Sequence, residues 1–109
     1  MTPNLDKIVE HYNHAREKHP YFADRITCLS DTGADTHLKL ERSLLEAEIR
    51  ASDIEAVTVI QCELFEAVQA YAYGKAAHAI EEAYDCIAVL LRTIDVLEGR
   101  QKLGKPEGR

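Results

Sequence analysis

The chain has 109 residues, 46% of them hydrophobic and 29% charged, which fits a single globular domain with a core of its own. A formal net charge of −6 argues against a primary role in gripping nucleic acid and against polybasic attachment to anionic membranes, since both need a basic face. Cys28, Cys62 and Cys86 show no CxxC spacing, and Met1 to Glu10 carries no apolar signal core, so the reading is of reduced thiols in a soluble, cytoplasmic protein without a membrane span.

In chain order, Leu5, Ile8, Val9 and Tyr12 recur at helical spacing after Pro3, with Asn4 as N-cap. Pro20 ends this first helix, because the residue before a proline is disfavoured in the α region. Phe22, Ile26 and Leu29 predict a further short helix, and the polar run Ser30 to Asp35 predicts a loop. From Thr36 to Tyr73 there is neither glycine nor proline. Ser52 and Glu55 match a capping box, which divides this stretch into helices over about 36–51 and 53–73. Leu38, Leu44, Leu45 and Ile49 are expected to face inward on the first, and Val57, Ile60, Leu64, Val68 and Tyr71 on the second. Gly74 stands where a C-terminal cap glycine belongs. A last helix follows over about 76–98, with Ile80, Tyr84, Ile87, Leu91 and Ile94 inward and Gly99 closing it. Residues 99–109 read as a flexible basic tail, leaving 1–98 as a single all-α bundle. No alternating strand pattern, hairpin dipeptide or internal repeat is present.

Two carboxylate pairs carry the chemistry. Glu63 and Glu66 are three apart and share a helix face, and Glu82 and Asp85 bear the same relation on the last helix. Gly74 lies between the two helices and predicts an antiparallel hairpin, with both pairs at similar heights above the turn. Four carboxylates across one seam repel one another unless a cation joins them. Hard oxygen donors without a matching cysteine or histidine set favour Mg²⁺, with Mn²⁺ the alternative, over zinc. Solvated acidic pairs are common on helices, and it is the flanking core positions Leu64, Phe65, Ala67, Ala83, Tyr84, Ile87 and Ala88 that set these two pairs apart.

Glu63-x-x-Glu66, then 15 residues, then Glu82-x-x-Asp85, resembles the ExxE–spacer–ExxD signature of the MazG-like, all-α nucleoside triphosphate pyrophosphohydrolases. Ala67, Ala70 and Gly74 follow the first motif as in that family's pattern, and Glu81 to Asp85 runs into the apolar Ile87 to Leu91 as its second motif does. The resemblance spans roughly residues 55–97. Cys62 stands where many members carry an additional Glu, and many continue into another helix bearing phosphate-contacting Lys, Asn or Arg.

The resemblance implies a Mg²⁺-dependent enzyme that cleaves nucleoside or deoxynucleoside triphosphates to the monophosphate and pyrophosphate. It implies Glu63, Glu66, Glu82 and Asp85 as metal ligands, Glu63 or Glu66 as the catalytic group orienting water, and a homodimer or homotetramer. Arg92 and Lys75 are the candidate phosphate contacts. The competing reading is a non-enzymatic helical interaction protein that retains the fold.

Other groups carry less. His11, His14 and His19 cluster near the end of the first helix but have no supporting ligand pair and read as surface histidines. Glu46 and Glu48 are two apart, on opposite helix faces, and read as solvated or interface charges. Glu81 rivals Glu82, and His78 is expected to cap or solvate the turn. No Gly-rich phosphate loop or Ser–His–Asp arrangement is present.

Overall fold

A computed structural model describes residues 4–21 and 25–102. The described residues are all-helical or irregular, with no strand. Four helices follow in order: α1 (Leu5–Lys18), α2 (Asp31–Ala51), α3 (Ala56–Ala72) and α4 (Ala76–Lys102). The chain divides into two compact units. One holds α1 and the part of α4 from Ile94 onward; the other runs from Arg25 to Thr93 and contains α2, α3 and the rest of α4.

In the first unit α1 begins as its sequence predicts. The Asn4 side chain accepts a hydrogen bond from the Lys7 amide at 3.1 Å, which satisfies one of the unpaired first-turn donors. The helix stops at Lys18, ahead of Pro20. No residue of α1 is buried; Leu5, Val9 and Tyr12 form an apolar stripe open to solvent.

The second unit departs from expectation in one absent helix and at two helix starts. The helix anticipated over Phe22, Ile26 and Leu29 does not form: residues 25–30 are bent or irregular, and Phe22 lies outside the described residues. The loop anticipated over Ser30 to Asp35 is instead the start of α2. Ser30 is extended at φ −71°, ψ 168°, and its hydroxyl accepts from the Gly33 amide at 3.2 Å. Short polar residues favour loops and N-caps for the same reason, the competition of their side chains for backbone donors.

Ser52 does not open α3. It closes α2 in the left-handed conformation at φ 54°, ψ 38°. Its amide donates to the Ile49 carbonyl at 3.1 Å and the Asp53 amide to Glu48 at 3.0 Å, the paired bonds of a Schellman ending. Helix α3 starts four residues later, with Glu55 as a cap that makes no side-chain bond of its own. Glu48 supplies the missing acceptor from α2. Its carboxylate accepts the Glu55 amide at 3.0 Å and the Thr58 hydroxyl at 2.6 Å.

The α3–α4 turn is the second Schellman ending. Gly74, at φ 77°, donates to the Tyr71 carbonyl, and the Lys75 amide donates to Ala70, both at 2.9 Å. The break between the two central helices and the glycine turn therefore stand where the sequence puts them. Helix α4 does not end at Gly99; it continues to Lys102, because one glycine costs a helix only about 1 kcal/mol.

Helices α2 and α3 run antiparallel. As the position on α2 rises from Asp35 through Arg42 to Glu48, its bonded partner on α3 falls from Tyr73 through Glu66 to Thr58. His37 stacks on Phe65 in the same seam, ring centres 5.1 Å apart. Among the described residues the buried apolar side chains are mostly small, Ala34, Cys62, Ala67, Val68, Ala70 and Ala79 beside the larger Leu38, and Thr58 is buried as well. Several residues expected to face inward do not. Leu44, Ile49, Val57 and Leu64 are exposed, and on α4 Ile80, Tyr84 and Ile87 are 55%, 64% and 49% exposed. Helical periodicity identifies an apolar stripe, but a single chain leaves this one uncovered.

Candidate metal and phosphate site

The site is assembled by α3 and α4, with one residue from α2. Glu63 and Glu66 lie on successive turns of α3, and the Schellman turn at Gly74 sends α4 back alongside them. Glu82 then reaches the pair: one carboxylate oxygen from each of Glu63, Glu66 and Glu82 lies within 4.8 Å of the others. All three side chains are partly buried. Glu82, not its rival Glu81, joins the group, and Glu81 is exposed.

Asp85 stands outside this tight triad and is exposed, but its charge acts on Glu63. Burial, then the charge of Glu66, a hydrogen bond with the Glu66 side chain, and the charges of Asp85 and Glu82 push the Glu63 carboxyl above the usual carboxylate range. The charges of Glu66, Asp85 and Glu82 thus all act on Glu63, while only Glu66 and Glu82 join it in the close triad.

Two cationic or potentially cationic side chains occupy oxygens of this cluster. Arg42 Nη2 of α2 lies 3.0 Å from Glu66 Oε2, and His78 Nε2 lies 3.3 Å from Glu82 Oε1. Beside the cluster opens a cleft of about 320 Å³ lined by Arg42, Glu66, Gln69, Tyr73, Lys75, His78 and Glu82, with Ala70 at its wall. Lys75, at the turn between α3 and α4, is one of the residues that line the cleft. Arg92 is exposed and is not among the residues that line it.

Two of the lining residues are tied to α2: Asp35 accepts the Gln69 amide at 2.6 Å and the Tyr73 hydroxyl at 2.7 Å. These two bonds, Tyr73 first, hold the Asp35 carboxyl below its ordinary value, while the same contact raises the Tyr73 phenol. Sequence reading missed Arg42, Asp35, Gln69 and Tyr73. Each acts through a partner on another helix or far along its own, and spacing along the chain carries no signal for that. The i,i+4 step from His78 to Glu82 was the one such contact open to sequence reading.

The donor set suits a hard divalent cation. Carboxylate oxygens dominate, and they repel one another in the absence of positive charge. The nearby thiols do not compete. Burial is the first cause that raises both Cys62 and Cys86, which keeps them protonated and poor ligands near neutral pH. His11 and His14 are exposed on α1 and belong to no group of three or more potential ligands among the described residues.

No helix among the described residues is long and apolar enough to cross a membrane. Comparison of the chain with protein-family models, curated proteins and solved structures gives no match.

Proposed function

We propose that the protein is a Mg²⁺-dependent nucleoside triphosphate pyrophosphohydrolase of the MazG-like type, acting on nucleoside or deoxynucleoside triphosphates. The observation that carries this reading is the meeting of Glu63, Glu66 and Glu82 within 4.8 Å, on the two helices that bear the ExxE and ExxD motifs. Glu63, Glu66, Glu82 and Asp85 are the residues that would hold the cation, Mg²⁺ or Mn²⁺. The bound metal would neutralise the polyphosphate and lower the pKa of attacking water.

The chain's own groups would do the rest. Glu63 or Glu66 would orient the water from the α3 face, and Lys75, which lines the cleft, would contact the phosphates. An acidic protein can take an anionic substrate in this way because the local charge at the metal, not the net charge, governs binding.

The exposed stripe of Ile80, Tyr84 and Ile87 supports assembly into a homodimer or homotetramer, since identical stripes on two copies are self-complementary. Those same uncovered faces also favour a second reading, a non-enzymatic helical interaction protein.

One assay separates the two. Incubation with a panel of NTPs and dNTPs and Mg²⁺, following pyrophosphate, is expected to show turnover that Glu66→Gln removes. Silence across the panel with both Mg²⁺ and Mn²⁺ rejects the enzyme.

A further inference from the structure

Two of the three clustered carboxylates already hold a partner that faces the cleft. Arg42 reaches over from α2 to Glu66 Oε2, and His78 reaches Glu82 from one turn earlier on α4. The Arg42 side chain is more than half exposed and lines the cleft together with Lys75 and His78. An ion pair so open to water contributes only about 0–1 kcal/mol, so it holds the carboxylate without locking it. A planar guanidinium is also the side chain best shaped to bind two phosphate oxygens at once.

Resting on the pyrophosphohydrolase reading, we infer that Arg42 is an exchangeable counter-charge. It holds Glu66 until a divalent cation takes that oxygen, and then turns into the cleft to form, with Lys75 and His78, the wall that grips the polyphosphate. Arg42 is on this account a ligand-gated phosphate contact, and it acts oppositely on the two ligands: it competes with the cation and it recruits the anion.

The test is a pair of titrations on the full chain, wild type and Arg42→Gln, by calorimetry. The first uses Mn²⁺ alone. The variant, freed of the competing cation, is expected to bind Mn²⁺ about fivefold more tightly. The second uses inorganic triphosphate at saturating Mg²⁺. Here the variant is expected to bind about tenfold more weakly, the loss of one charge-assisted contact.

A folded Arg42→Gln protein whose Mn²⁺ affinity is unchanged or weaker, or whose triphosphate affinity is unchanged, overturns the inference while leaving the catalytic reading intact. If Arg42→Gln does not fold, Arg42→Lys serves: it keeps the charge and loses the fork. Its triphosphate affinity is expected to fall severalfold, and wild-type affinity there overturns the inference. Wild-type protein that binds no Mn²⁺ at all defeats the catalytic reading itself.

Discussion

The carboxylate of Glu48, near the end of α2, accepts the Thr58 hydroxyl at 2.6 Å in the first turn of α3. It also accepts the Glu55 amide at 3.0 Å, so one side chain caps a helix to which it does not belong. The negative charge sits at the positive end of the α3 dipole, where it is stabilising. The site depends on this, because α3 carries Glu63 and Glu66.

Glu48→Ala is therefore expected to cost about 1–3 kcal/mol, since it removes the cap and strands the buried Thr58 hydroxyl without an acceptor. Glu46→Ala, which removes an exposed charge, is expected to change stability by less than about 0.5 kcal/mol. Urea denaturation of both variants checks the contrast. Equal effects would show that Glu48 caps nothing of consequence.

The two left-handed residues should respond in opposite directions. Gly74→Ala places a Cβ at φ 77° with no atom within 4 Å of it, so the cost is conformational alone, about 1 kcal/mol. Ser52→Gly relieves a non-glycine residue at φ 54° and is expected to stabilise by up to about 1 kcal/mol. Thermal melts at one pH suffice to compare the two.

Acid stability should depend on the Asp35–Tyr73 contact. The folded Asp35 carboxyl lies below its ordinary value, so its contribution is fully present above the unfolded pKa and lost as pH falls through the folded one. The Tyr73 phenol has the opposite sign: raised in the folded state, it stabilises below its ordinary value and ceases to do so as pH rises past the folded one. Tyr73→Phe removes the larger of the two hydrogen bonds that lower Asp35. Melting temperatures of wild type and Tyr73→Phe should differ most near neutral pH and converge at both the acid and the alkaline ends. A difference that is constant with pH would contradict the assignment.

Neutralising one carboxylate should help the metal-free protein and harm the metal-bound one. Glu63→Gln relieves repulsion from Glu66, Asp85 and Glu82, and is expected to raise the melting temperature without divalent cations. Mg²⁺ is expected to raise the melting temperature of wild type, because a ligand stabilises the form that binds it, and the same change should abolish that rise. The crossing of the two effects is the signature. A simple loss of stability in both conditions would mark Glu63 as a packing residue.

Much of this architecture is legible along the chain. The Asn4 cap, the break after Ala51, the glycine turn at Gly74 and the shared face of Glu63 and Glu66 all follow from local rules. The errors are local rules with two outcomes. Ser-x-x-Glu at 52–55 matches a helix start, but Ser52 ends a helix in a left-handed C-terminal motif that pairs the Glu48 and Ile49 carbonyls. Ser30 to Asp35 has loop composition and is a capped helix start. In the site, periodicity puts Glu63 and Glu66 on one face of α3, and Glu82 but not Asp85 joins them. Periodicity is silent on Arg42, Asp35 and the cap role of Glu48, whose partners lie 24, 34 and 10 residues away.

The central claim is a bond cleavage, and the products report it directly. Phosphorus NMR of a deoxynucleoside triphosphate incubated with the protein and Mg²⁺ should show the monophosphate and pyrophosphate growing together. Neither should grow with Asp85→Asn or Glu66→Gln. An unchanged triphosphate spectrum, or a diphosphate with orthophosphate, would contradict the account.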